Sequence, residues 1–451
     1  MKGTTMSDPA TVSVVTMLDV SATMRSAMAI VKIDAKAFVR AARPQDQIAV
    51  IAFTDASRIV YPTPPALATV SQSLNETRLA AQAIEDLTTG DMTNMAAAIT
   101  QGNALMAGAT GAHRAFVMLT DGLWNEGGDP AAILGATPPI YIAGLGPFLK
   151  EAYFQAMLGK NSQSKYHHAP NAYQMMQIFN AIRAESAVTG LVANNLTSCQ
   201  GSDYYMVSNQ ISADTDAAQF SVVWSDASYH YTSGNPGGKA INVILIDPNG
   251  NVSPVQPDIA DPGYAIFNLV RPMPGTWQAL IQYSVPAAIW GTMGGLEFDT
   301  QVHLHVDAPQ LVRAGEALQA RVQVLDEGQP VENLRIRAHV TRPTISIANA
   351  LVKHAAALRQ MAPDAALTGD GQDDDLARLA AFRQANMAQG DILQRTTAFS
   401  MLAAQDDGSY QFHCANTAEA GSYDVVLHVD GANPVTGRRF TRTQRFSTLV
   451  V

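Results

Sequence analysis

The chain has 451 residues, 47% of them hydrophobic and 15% charged, with 29 basic against 39 acidic side chains and a net charge of -10. That length exceeds what one core organises and suggests about three domains at roughly 150 residues each, in a globular rather than a disordered protein. The acidic excess disfavours broad contact with phosphate backbones or anionic lipid, so nucleic acid is set aside as a partner.

The N-terminal MKGTTMSDPA carries one lysine and no apolar run, so no secretory leader is visible. The default compartment is therefore the cytoplasm, or the exterior or cell surface if a leader has been removed. From residue 12 to about 187, short apolar runs alternate with helical patterns. The runs Val12–Val20, Ile48–Phe53, Ala115–Leu119 and Ile140–Gly146 have the length and composition of buried strands. Between the first two, Ala27, Ile30, Val31, Phe38 and Ala41 recur at helical spacing, and Pro44 stops the segment. Further helical patterns cover about 74–87, 94–108, 150–159 and 171–187. Strands alternating with helices predict a mainly parallel sheet covered on both faces, a Rossmann-like α/β domain over 11–187.

After about residue 190 the period changes to two, as in Phe220–Trp224, Ala240–Ile246 and Thr276–Tyr283, with a turn at Asp247-Pro248-Asn249-Gly250. This predicts a β-sandwich over 190–300, with Trp224, Trp277 and Trp290 in its core. The uncharged stretch Pro272–Leu296 is interrupted by Pro274, Gly275, Pro286 and Gly291, which suits strands and turns better than a membrane helix. A second β domain is expected over 301–451, with alternation in VHLHV, ALQARVQVLDEGQPV, SYQFHC and SYDVVLHV, interrupted by an insertion at 345–397. Within it, 347–362 and 376–387 have helix-forming composition. Cys199 and Cys414 are too few for a disulfide framework or zinc cage, and read as unpaired buried thiols or one interdomain bridge.

The first strand raises a chemical question, because its apolar run ends in Asp19 with hydroxyls at alternate positions, Ser21 and Thr23. In a parallel α/β sheet, ligands gather outside the carboxyl ends of the strands. Hard oxygen donors there suit a hard divalent cation, and few charged ligands with room for water suit Mg²⁺. For this segment in isolation, helix capping is the favoured reading of the same residue types. Two further elements bear on the choice: a second strand ends in Thr120-Asp121-Gly122, and Thr93 precedes a helix. Asp121-Gly122 also reads as an ordinary turn, and Thr93 as a cap or near-cap. His167-His168 looks metal-like, but adjacent strand residues face opposite sides, so structural or surface histidines are expected. The acids at Asp370, Asp373, Asp374 and Asp375 lack the alternation of a calcium loop and read as solvated.

The ordered set Asp19-x-Ser21-x-Thr23, Thr93 and Asp121 resembles the metal-ion-dependent adhesion site of von Willebrand factor A domains, with Thr23 in place of the usual second serine. RPQDQIAVIAF, PIYIAGLG and KYHHAPNAYQMMQIFNAI extend the resemblance over 11–187. It implies that Ser21 and Thr23 ligate a metal through hydroxyls, that Asp19 and Asp121 bind directly or hold coordinated water, and that Thr93 does either. The metal is expected to be Mg²⁺, with Mn²⁺ or Ca²⁺ as alternatives, and its open position to accept Asp or Glu from a protein partner. The C-terminal half resembles the immunoglobulin-like module of bacterial relatives of calcium-activated chloride channel regulators, and more loosely inter-alpha-trypsin inhibitor heavy chains. The reading is therefore a metal-dependent adhesion or interaction protein. One alternative is an intracellular scaffold working with a separate chaperone-type ATPase, since the chain has no ATP-binding loop. A second is a metal-dependent hydrolase using Asp55, Glu126 or His113; no nucleophile–base pair recommends it, and an enzyme is not expected.

Overall fold

The computed structural model describes residues 11–122, 126–146, 152–187, 189–198, 204–213, 215–234, 238–283, 289–298, 300–363 and 374–451. The first domain is built on the strands β1 (Val12–Asp19), β2 (Gln47–Phe53), β3 (Ser57–Tyr61), β4 (Ala68–Thr69), β5 (His113–Thr120), β6 (Ile140–Leu145) and β7 (Lys165–Ala169). They lie in the order β3-β2-β1-β5-β6-β7, with β4 also on β2. All neighbours are parallel except β3 and β4, which run antiparallel to β2.

Period-two alternation sends the strands' apolar side chains to two separate cores. Leu18, Val50, Val117 and Ala143 meet α1 (Met28–Arg40), α2 (Asn75–Glu85) and, across the same face, α6 (Met175–Ser186). Met17, Ile51, Met118 and Ile142 meet α3 (Met95–Met106), α4 (Pro130–Ile133) and α5 (Ala152–Leu158) on the other. Because both faces are covered, the strands carry almost unbroken apolar runs.

The predicted helices are all present within a few residues. Only 171–187 opens differently, on a 3-10 turn at Ala172–Gln174. The strands β3 and β4 lie in the stretch between Phe53 and the second helix, where the sequence reading placed no element.

From residue 190 the chain is β-rich. Strands β8 (Gly190–Ser198), β9 (Tyr204–Ile211), β10 (Ala217–Trp224), β11 (His230–Tyr231), β12 (Ala240–Ile246), β13 (Ile259–Asp261), β14 (Tyr264–Val270), β15 (Gly275–Tyr283) and β16 (Trp290–Phe298) form two sheets. Their orders are β13-β14-β10-β16-β8 and β11-β12-β15-β9, and they close over one apolar core. Trp224 and Trp277 lie in that core. Trp290 does not: it is half-buried and stacks on Tyr173 of the first domain with ring centroids 5.4 Å apart, because its strand forms the wall between the two units.

A second pair of sheets follows, from β17 (Val302–Asp307), β18 (Leu311–Val312), β19 (Leu318–Asp326), β20 (Gln329–Pro330), β21 (Arg335–Pro343), β22 (Arg395–Met401), β23 (Ala403–Ala404), β24 (Tyr410–Cys414), β25 (Gly421–Ala432) and β26 (Arg439–Val450). The sheets run β17-β19-β24-β23 and β18-β26-β25-β21-β22. Between β21 and β22 the inserted helices α7 (Ile347–Leu358) and α8 (Asp374–Asn386) share a small core of Ala350, Leu358 and Leu379. The expected insertion end at 397 overruns the helical part, since Arg395 to Thr397 already pair with β21. Cys199, Asp370 and Asp373 lie outside the described residues, so neither cysteine pairing nor the acidic cluster is decided. Among the described residues no helix is long and apolar enough to cross a membrane.

The units are not beads on a string. Arg40 of α1 pairs with Asp261 at 3.1 Å, and Ile266 and Tyr264 of β14 extend the first domain's core. Arg442 of β26 pairs with Glu297 of β16 at 2.8 Å, with both side chains buried.

Candidate metal centre of the first domain

The sheet order reverses between β1 and β5, since β2 and β3 lie to one side and β6 and β7 to the other. Such a switch point splays the following loops apart and leaves a crevice at the carboxyl ends of the strands. Asp19 is the last residue of β1, and Asp121 follows the last residue of β5. Both acids therefore flank the crevice.

Asp19 is fully buried and its carboxylate is held from two sides. The backbone N–H of Ser21 donates to Oδ1 at 2.9 Å, and the hydroxyl of Thr120 donates to Oδ2 at 2.7 Å. Thr120 can make that bond because β5 lies directly beside β1, and its own oxygen accepts from the N–H of Gly122 at 3.0 Å. Gly122 reaches back only by adopting φ +76°, a region where a side chain is strained. Burial first, and the neighbouring Asp121 carboxylate second, push the Asp19 acid up to about 7. The other groups acting on it are neutral donors. A fixed, buried acid beside a second acid is the arrangement a divalent cation relieves.

The Ser21 side chain does not act as a helix cap. Ser21 stands at the N-cap of a 3-10 turn, Ala22–Ser26, yet makes no side-chain capping bond. Its hydroxyl instead meets that of Thr23 at 3.0 Å. Two ligands at 2.0–2.1 Å from Mg²⁺ in adjacent octahedral positions stand about 3 Å apart, so this pair has the required bite. The N-cap of α3 is Asn94, accepting from the N–H of Ala97 at 2.9 Å, and the buried Thr93 stands next to it in the near-cap position.

Backbone bonds stitch the loops together. Gly90 donates to Val20 O at 2.7 Å, Asn94 to Thr54 O at 2.6 Å, and Glu126 to Thr93 O at 3.2 Å. Gly90 is a place where only glycine fits, because a Cβ there falls 2.6 Å from Thr54 Cγ2. The loops bearing Asp19, Thr93 and Asp121 are thus drawn to one edge. Among the described residues no group of three or more His, Cys, Asp or Glu side chains stands together, so any cation here draws on hydroxyls. Of the hydrolase candidates, Asp55 and Glu126 border the Thr93 loop. His113 does not: it opens β5, seven residues from Thr120 and roughly 23 Å away at the opposite edge.

The two adjacent histidines do face opposite ways, and both are buried. His167 Nε2 lies 3.0 Å from Glu185 of α6, whereas His168 Nδ1 lies 3.1 Å from Asp424 of β25. Sequence reasoning missed Thr120, Gly90 and Asn94 as supports of the crevice. Thr120 stood in the T-D-G run, but its role depends on β1 and β5 being neighbours.

Residues 14–123 match the von Willebrand factor type A domain family. No curated protein matches the chain. Among solved structures, a von Willebrand factor type A protein from Catenulispora acidiphila aligns at 14% identity over 72% of this chain and 64% of its own, with a TM-score of 0.37. The ArnB paralog VWA2 from Sulfolobus acidocaldarius aligns at 12% over 72% and 64%, with a TM-score of 0.31. Proximal thread matrix protein 1 from the mussel byssus, with a zinc-occupied MIDAS motif, aligns at 12% over 43% and 51%, with a TM-score of 0.33. The alignment thus spans less than two thirds of each of these proteins. On the family match, this chain carries a von Willebrand factor type A domain, followed by a large all-β region.

Proposed function

We propose that this chain is a metal-dependent protein-binding protein. Ser21 and Thr23 hold Mg²⁺ through their hydroxyls, Asp19 and Asp121 bind it directly or through water, and Thr93 completes the set. With two carboxylates near a dication, the site still gains from a third anionic oxygen, which an Asp or Glu of a partner supplies. Mn²⁺ and Ca²⁺ are the alternative occupants. The β-rich units over 190–300 and 301–451 act as a platform that carries the 11–187 domain.

The observation that carries this reading is the Asp19 carboxylate, oriented by Ser21 and Thr120, whose proton affinity is raised by its burial and by the Asp121 carboxylate beside it. The direct test is calorimetric titration of MgCl₂ into the full chain and into Asp121→Ala. The wild type should bind saturably and the variant show no heat. In metal-free buffer the variant should melt no lower than wild type, because a like charge beside Asp19 is gone. Equal Mg²⁺ affinity in the two proteins would refute the assignment. Partner capture that persists in EDTA would refute the metal-bridged contact.

A further inference from the structure

A cleft of about 960 Å³ opens where three parts of the molecule meet: the turn after β7, the β21–β22 end of the last sheet, and the first turn of α7. That volume is at the upper end of small-ligand sites, and domain junctions are where such sites gather. Pro170, Pro343, Ile345, Leu393, Leu449 and Val450 make its walls largely apolar.

The charged side chains on those walls, His168, Arg383, Asp391 and Arg395, are already answered from within the protein. Arg383 is held by both oxygens of Asp391, at 2.7 and 2.6 Å. Arg395 Nη2 donates to Asp424 at 2.8 Å and to the carbonyls of Thr341 and Ser422 at 2.9 and 2.8 Å. His168 places Nδ1 3.1 Å from the same Asp424 and Nε2 3.1 Å from the carbonyl of Gly146. The positive end of α7 is answered too, because Glu419 accepts from the N–H of Ser346 at 2.7 Å and from Asn349 Nδ2 at 2.9 Å. A charged ligand would therefore give up its hydration here and meet no counter-charge in return.

What the cleft does offer is neutral. The side-chain amides of Asn171 and Gln174, after β7, and of Gln394, just before β22, line it from two different units. Among the described residues, none of the three side chains is engaged in a hydrogen bond. Each amide can both donate and accept. We infer that this cleft is a second binding site, for a neutral ligand that joins an amide or hydroxyl head to an apolar body. The apolar walls desolvate the body, and the three amides exchange hydrogen bonds with the head. The site is separate from the metal crevice: β7 lies three strand positions from β1, roughly 14 Å along the sheet edge. It also gives the inserted helices a task, as one wall of the cleft.

Octanamide is the probe, titrated into the full chain by calorimetry, with octanoate and octylammonium as controls of the same length and opposite charges. Octanamide should bind at one saturable site, about tenfold or more tighter than either ion, and EDTA should not change it. Ala348→Trp, at an exposed position on the cleft wall, should block the site without lowering the melting temperature. Gln174→Leu combined with Gln394→Leu should weaken octanamide by roughly threefold to tenfold while leaving the fold intact. Absence of octanamide binding, equal binding of either ion, or unchanged octanamide affinity in Ala348→Trp or in the double variant would overturn the inference. Loss of octanamide binding in EDTA would overturn it as well, by placing the ligand on the metal. The inference survives whether or not the metal crevice binds Mg²⁺.

Discussion

Asp34 lies in the middle of α1, buried at 3% exposure, and its Oδ2 has no hydrogen-bond partner. Burial raises its acid well above the ordinary value. A raised acid binds its proton more tightly when folded, so its stability contribution is complete below the unfolded value of about 3.9 and is lost as pH rises through the folded value. Near neutrality the native helix therefore carries a cost that an amide of the same shape lacks. Asp34→Asn should stabilise the protein at pH 7 by about 1 kcal/mol or more, with the gain fading as pH approaches 4. Chemical denaturation at the two pH values checks this, and a variant less stable than wild type at pH 7 would contradict it. Nothing in MAIVKIDAKAF distinguishes Asp34 from a solvated helix acid. Its burial arises because α1 is covered on more than one side, by α2, by α6 and by the sheet of the second unit.

At the scale of elements, the crevice depends on two adjacent strands ending in step. Thr120 of β5 donates to Asp19 of β1 and accepts from Gly122, so one hydroxyl orients the buried acid and shapes the loop that bears Asp121. Thr120→Val keeps the shape and removes both bonds. The expected result is a tenfold to hundredfold loss of Mg²⁺ affinity, roughly the cost of removing a group that orients a ligand, with restoration by Thr120→Ser. Calorimetry on the two variants decides it, and equal affinity in Thr120→Val and wild type would show the hydroxyl to be idle.

The elements themselves were readable in the sequence. Apolar runs of strand length alternating with 3.6-period segments define β1, β2, β5 and β6 and the helices between them. The short strand β3 was not readable, because SRIVY is half exposed at the sheet edge and carries no strong alternation. Nor could the sequence say that Ser21 is released from capping, since a cap and a metal ligand require the same residue.

The whole molecule is held by charge pairs buried between its units. Asp424 is the centre of one of them, with His168 from β7, Arg395 from β22, and Arg445 and Ser447 from β26 around it. Burial opposes its charge, yet His168, Arg395 and Arg445 hold its acid far below the usual carboxylate range. A depressed acid contributes stability that is present above its unfolded value and lost as pH falls toward the folded one, so this junction should weaken below about pH 4. Asp424→Asn should cost about 3–5 kcal/mol at pH 7, since it leaves buried guanidiniums without their counter-ion, and should flatten the acid limb of the stability profile. Thermal melts from pH 3 to 7 test both, and an acid limb identical to wild type would remove Asp424 from the account.

The sequence by itself determined the α/β architecture of the first unit, the change to β structure near residue 190, and the ordered oxygen side chains of Asp19, Ser21, Thr23, Thr93 and Asp121. Those features are local, written in period and residue type along one stretch of chain. Only the tertiary structure decided that Thr120 orients Asp19, that Trp290 serves a boundary rather than a core, that His168 joins an interdomain charge cluster, and that the inserted helices wall a cleft. Each of these requires residues distant in sequence to meet, and the packing that brings them together leaves no periodic trace in either partner.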